Sequence, residues 1–222
     1  MIALAVPEFD VAYFSELARH VMEATGGNGR TVLIHQTGAE RDREPAVLHC
    51  FDTRFCDGVI LGPLSLLPRG LATRDRRMPV VLLGERSPEG HTGHVGIDNV
   101  RAARGATEHL RSRGQQGTDR LPTAGYRQAL ATAGLPMALG ALRALRESGV
   151  RVPGEMDVVG FDGIEPTGFG MPRLPSVSPG KREIARTAAS LPLNRIDAAD
   201  SGVPCRDVVI GQRIVVGERS GG

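Results

Sequence analysis

Four short apolar blocks punctuate the first half of the chain, and a stretch with helical spacing follows each. Ile2 to Val6 runs unbroken to Pro7; Thr31 to Ile34, Asp57 to Leu61 and Pro79 to Leu83 are the other three. A strand with one wet face alternates apolar and polar residues, whereas a solidly apolar strand is covered on both faces, as in a parallel sheet flanked by helices. The segments between supply those helices. Phe14, Leu17, Ala18, Val21 and Met22 recur at helical spacing before Gly26-Gly27, and Ala46, Val47 and Phe51 mark a second helix. A short helix is predicted around Leu66 to Ala72. Beyond a brief fifth strand at Val95 to Ile97, Asn99 to Ser112 is predicted helical with Val100, Ala103, Ala106 and Leu110 inward. Alternation of this kind predicts an α/β protein built on a parallel sheet.

The second half carries its information in one stretch. A helical run from Met137 to Ser148 stops at Gly149, a residue suited to the left-handed cap, and Pro153-Gly154 punctuate the connection. Asp157-Val-Val-Gly-Phe161 then reads as a short buried strand that ends on Asp162 and opens into a Gly/Pro-rich loop. Ligands of open α/β sheets bind at that carboxyl edge, which makes Asp162 the most informative residue of the chain. A helix over Lys181 to Leu193 follows, and Asp207 to Ile210 and Arg213 to Val216 form a predicted final strand pair about Gly211-Gln212. The middle is short of material. Residues 115–136 contain no strand pattern, although a βαβ unit needs roughly 30 residues. The abrupt Pro136-Met137 join between two helices favours omitted residues over an internal deletion.

Length and charge bound the rest. A chain of 222 residues is one large domain or two small ones. A net charge of +2 gives no electrostatic footprint for nucleic acid. Lys181 is the only lysine, so the basic character is arginine, and the cluster Arg74, Arg76 and Arg77 reads as a solvated loop. Three cysteines (Cys50, Cys56 and Cys205) have no zinc-site spacing and suit reduced thiols in a cytoplasm. The N-terminus has neither the basic region of a signal peptide nor an anchor's length, so a cytoplasmic protein with no membrane partner is expected.

Catalytic signatures fail. No G-x-G-x-x-G leads from a strand into a helix, and neither H-E-x-x-H nor G-x-S-x-G occurs. His49, Cys50 and Asp52 are close in sequence but fall on a helix pattern, where surface and core positions explain them. No cofactor, metal or enzymatic activity is expected. A binding pocket has better support. The chain has six phenylalanines, two tyrosines and no tryptophan, yet Phe9, Tyr13 and Phe14 cluster just past the first strand. Phe161 and Phe169 bracket the loop at Asp162. Flat apolar rings beside carboxylates suit a sugar or nucleoside, the ring stacking on its apolar face and the acid accepting from hydroxyls. Each residue has a plainer reading. Phe14 and Tyr13 can pack the first helical turn onto the sheet, Asp98 can be an N-cap before Asn99, and Asp162 can cap a turn.

At these residues the sequence resembles the effector-binding portion of the lactose-repressor (LacI/GalR) family of bacterial transcription regulators. The matching pieces include Tyr13-Phe-Ser-Glu-Leu17, Cys56-Asp-Gly-Val-Ile-Leu-Gly-Pro63, Met78-Pro-Val-Val-Leu-Leu83 and Ile97-Asp-Asn-Val100. Ala124-Gly-Tyr126, the run from Met137 to Leu145, Arg151 to Asp162, Pro172-Arg-Leu-Pro175 and Gln212-Arg-Ile-Val-Val216 continue in family order over nearly the whole chain.

The resemblance implies a type I periplasmic-binding-protein-like fold: two Rossmann-like lobes with parallel sheets, three crossovers, and a small molecule held between the lobes. The first lobe would comprise 1–112 and 176–203; the second, incomplete, would comprise 113–175 and 204–222. By position Tyr13, Phe14, Asp98 and Asp162 match effector contacts, and Phe9 and Phe169 join them as neighbouring aromatics. Arg120 is a further candidate, two residues before the Pro122 that stands where the family usually places an arginine. Gly163 replaces a second acid often found after Asp162. The strand that ends in Asn-Asp before Met137 is absent. So are the helix-turn-helix and hinge helix, so operator DNA would be bound only through a module that this chain lacks. The expected function is the effector-sensing domain of a LacI-type regulator, a homodimer responding to a sugar or nucleoside. The alternative is a free-standing periplasmic-type sugar-binding protein of a transport system.

Overall fold

The computed structural model describes residues 1–38, 40, 43–50, 55–64, 71, 78–84, 92–112, 147–149, 158–163, 175–198 and 204–215. They fall into two compact units, Met1–Ile97 with Lys181–Ile210 and Asp98–Gly180 with Gly211–Gly222, so the chain passes from one to the other three times.

The first unit is a six-stranded parallel sheet ordered β2-β1-β3-β4-β5-β8. Its strands are β1 (Ile2–Val6), β2 (Val32–Gln36), β3 (Gly58–Leu61), β4 (Val80–Leu83), β5 (Gly93–Ile97) and β8 (Asp207–Ile210). Alternation of side chains sends Ile2, Leu4, Val6 and Ile60 to one face, where they pack with Leu17 and Val21 of α1 (Ala12–Gly26) and Ile184 and Ala188 of α4 (Lys181–Asp197). Ala3, Ala5, Val59 and Leu61 pack on the other face with Val47 and Leu48 of α2 (Arg43–Cys50). Both faces are covered, as the solid apolar strands predict. One glycine lets α4 lie close: a Cβ on Gly58 would sit 3.1 Å from Pro192.

The expectation needs correcting at β2 and in α1. β2 has a neighbour on one side only, and Leu33 and Ile34 are 39% and 38% exposed; Met22 of α1 also faces outward. β5 begins two residues earlier than predicted, because pairing with both β4 and β8 draws Gly93 and His94 into the sheet.

The second unit holds a three-stranded sheet, β6 (Gly160–Phe161), β7 (Ser176–Pro179) and β9 (Gln212–Val215), together with α3 (Asn99–Ser112). β6 and β7 are parallel, whereas β9 runs antiparallel to β7. The last two strands, expected as a pair, do not pair with each other. β8 pairs with β5 and β9 with β7, so Gly211 lies at a crossing between units rather than in a tight turn. The expected lobe boundaries shift accordingly. β8 belongs to the first unit; β7 and α3 belong to the second, where α3 packs on β7 and β9. Ala102, Ala103 and Ala106 of α3 are buried, whereas Val100 is 70% exposed, and the side chain of Leu110 lies outside the described residues. The predicted helix over Leu66 to Ala72 apart from Leu71, nearly all of that over Met137 to Ser148, and the side chains of His49, Cys50, Phe51 and Asp52 lie outside the described residues. Among the described residues no helix is long and apolar enough to cross a membrane.

Candidate functional site

All strands of a parallel sheet end at the same edge. In the first unit Phe9, Tyr13 and Phe14 follow directly from the carboxyl end of β1. All three are half-buried and packed against the core. The Tyr13 and Phe14 rings meet edge to face, with centroids 5.2 Å apart at 78°. Phe14 also reaches over β3, its Cε1 lying 4.0 Å from where a Gly62 Cβ would be. The packing role of Phe14 is therefore real, and each ring still keeps part of its surface accessible. Val11, at the N-cap of α1, makes no side-chain cap to the first helical turn.

Sequence reasoning missed two buried polar side chains of this unit, only the first of them at this edge. Glu44 is wholly buried, and its Oε1 accepts a hydrogen bond from the Leu64 amide at 2.6 Å, fixing the loop after β3. His94 is buried on β5, with Nε2 2.9 Å from the carbonyl oxygen of Gly84 and Nδ1 2.7 Å from Asp207 Oδ1. The opposite, amino edge is closed by ions. Asp57, just before β3, accepts from the Met1 amine and from Arg30 Nη1 at 2.7 Å. The amine's hydrogen bond, with smaller help from Arg30, holds the Asp57 carboxyl below the usual carboxylate range. Glu23, near the end of α1, is lowered in the same sense by its hydrogen bond to His20.

In the second unit Asp98 is exposed at the start of α3, and its Oδ1 accepts from the Arg101 amide at 2.8 Å. This is the N-cap that the plainer reading anticipates. A carboxylate has more than one acceptor site, so capping through Oδ1 leaves Oδ2 able to meet a ligand. A groove of about 540 Å³ runs between α3 and the strands β7 and β9, lined by Asp98, Arg101, Arg104, Glu108, Gln212 and Arg213 among others. Of the candidate residues it takes in Asp98 alone.

Asp162 stands where the sequence placed it, just past β6, and its backbone is unusual. It is the only non-glycine residue with positive φ among those described, at 76°, and Gly163 follows at 54°. Positive φ at two successive residues is what a type I′ turn requires, and Asp-Gly is a favoured pair there. The Asp-Gly dipeptide carries this turn signature in the sequence itself. Gly163 donates its amide N–H to Ser176 Oγ at 3.1 Å. Arg120 and Phe169 lie outside the described residues.

Residues 84–218 match the family of periplasmic binding protein-like domains. The HTH-type transcriptional repressor CytR of Escherichia coli (strain K12) is 27% identical over 253 residues, covering 90% of this chain and 74% of CytR. That alignment is longer than the 222-residue chain, so CytR carries residues with no counterpart here. A solved structure described as a transcriptional regulator of the LacI family from Sanguibacter keddieii DSM 10542 is 31% identical. It superimposes with a TM-score of 0.80 over 100% of this chain and 99% of its own. A LacI family transcriptional regulator from Enterococcus faecium, solved with bound ribose, shares the fold at a TM-score of 0.77. It is 18% identical over 97% of each chain.

Proposed function

The chain belongs to the periplasmic-binding-protein-like family as a LacI-type effector-binding domain, and on that premise we propose that it senses a small sugar or nucleoside to control a regulator's grip on operator DNA. The observation that carries this reading is the 31% identity to a LacI-family regulator along the full length of the chain. The relatives are transcriptional regulators rather than enzymes, and the mechanism needs no chemical step. An effector that binds one conformation of the domain better than another shifts the population toward it by its differential affinity. A DNA-binding module joined to the domain then reports the shift. Such a protein acts in the cytoplasm, where its operator is.

Each unit offers candidate ligand contacts of its own. In the first, Tyr13 and the accessible part of Phe9 offer apolar faces. In the second, Asp162 and Asp98 offer carboxylates that accept from hydroxyls. A sugar class is supported by the ribose in the Enterococcus faecium relative. The test is a thermal-shift screen of sugars, sugar phosphates and ribonucleosides, followed by calorimetric titration of any compound that raises the melting temperature. A concentration-dependent rise with one class supports the proposal, and a flat response to all of them refutes it.

A further inference from the structure

We infer that Ser176 is a positioning residue: its hydroxyl holds the Asp162-Gly163 turn and thereby the Asp162 carboxylate that meets the effector, an inference that rests on the ligand-contact reading of Asp162. Aspartate adopts the left-handed region more readily than other L-residues, but its neighbours decide whether it stays in one turn geometry. Two contacts contribute to that here. The first is the hydrogen bond from the Gly163 N–H to Ser176 Oγ at 3.1 Å. The second is steric. Ser178 lies so close beneath Gly163 that a Cβ there would stand 2.3 Å from Ser178 Oγ, 2.4 Å from its Cβ and 2.7 Å from its Cα.

The hydroxyl could rotate away from such a clash, but the Cα is backbone in the middle strand of a sheet and cannot. Ser176 pairs with Gly160 of β6 on one side and Val215 of β9 on the other, and Ser178 pairs with Arg213. Residues two apart on a strand point to the same face, so the two serines form one platform on β7. The turn rests on that platform, one serine taking up its amide and the other filling the space that a side chain at 163 would need. A side chain at 163 therefore cannot be accommodated here, and the turn presents a single carboxylate. The chain leaves β7 at Pro179 and crosses to the other unit at Gly180-Lys181.

The experiment is amide hydrogen exchange by NMR on wild type, Ser176→Ala and Ser176→Thr, with D-ribose and the four common ribonucleosides as binding probes. The expected result is that Ser176→Ala speeds Gly163 exchange roughly tenfold and weakens any probe that binds wild type by roughly three- to tenfold, from the loss of one hydrogen bond. Ser176→Thr should restore both, because it keeps the hydroxyl. Unchanged Gly163 exchange in Ser176→Ala would overturn the inference, as would faster exchange with unaltered probe affinity. If no probe binds wild type, the effector reading in its sugar or nucleoside form fails, and Gly163 exchange alone still decides whether Ser176 holds the turn.

Discussion

His94 and Asp207 tie β5 to β8, with Nδ1 and Oδ1 2.7 Å apart, while the other ring nitrogen reaches the Gly84 carbonyl at the end of β4. One buried imidazole thus links three strands across two junctions of the sheet. Removing it leaves a carbonyl and a carboxylate without that partner. His94→Ala is expected to lower the unfolding free energy by about 1–3 kcal/mol, measured by urea denaturation. Because Asp207 is largely exposed, Asp207→Asn should cost less. A double-mutant cycle between the two should give a nonzero coupling, and strict additivity would show that the pair contributes nothing.

Asp57 gives the domain a defined acid sensitivity. Its carboxyl titrates lower in the folded chain than in the unfolded one, because the Met1 amine and Arg30 favour the charged form. Such a group stabilises the fold above its unfolded pKa, and the contribution disappears as pH falls through the folded pKa. Asp57→Asn should therefore be less stable than wild type near neutrality and equal to it in strong acid. Since the side chain is 39% exposed, added salt should narrow the gap. Melting curves against pH at two salt concentrations check this, and a constant gap at all pH values would contradict it.

Asp98 serves as a cap whatever else it does. Asp98→Ala should cost about 1 kcal/mol through loss of the bond to the Arg101 amide. Asp98→Asn keeps a capping oxygen and should be close to neutral for stability. If Asp98 also meets the effector as a charged acceptor, Asn will weaken binding while Tm stays near the wild-type value, and calorimetry on the two variants separates the roles.

At Asp162 an alanine substitution would confuse two effects, because an L-residue other than Asn or Asp is strained at a φ of 76°. Asp162→Ala should cost about 1–2 kcal/mol for that reason alone. Asp162→Asn and Asp162→Gly tolerate the left-handed backbone. Both should melt close to wild type and lose effector affinity, most fully in the glycine variant. Retained affinity in Asp162→Gly would show that the residue serves the turn and nothing else.

The first unit was legible because its strands are solid apolar blocks. Ile2–Val6, Gly58–Leu61 and Val80–Leu83 are buried throughout, and burial on both faces leaves that one pattern. β5 was trimmed because Thr92-Gly93-His94 looks like a loop until Asp207 supplies the histidine's partner. The last two strands misled for a different reason. Two apolar runs about Gly211-Gln212 look the same whether they form a hairpin or feed two sheets, and only long-range pairing with β5 and β7 decides. Helical spacing places Val100, Ala103 and Ala106 on one inward stripe; Ala103 and Ala106 are buried there, whereas Val100 is exposed. The carboxylate at Asp162 was found from its place at a strand end. Its support by Ser176 and Ser178 was not, because those serines are distant in sequence and ordinary in type.

The most direct test titrates one ligand against two variants from different units. Tyr13→Ala comes from the first unit and Asp162→Asn from the second. With the best compound from the thermal-shift screen, calorimetry is expected to show weaker binding in both variants, more severe for Asp162→Asn, while each remains folded. Binding that is indifferent to both substitutions would contradict the proposed effector contacts and, with them, the sensing function.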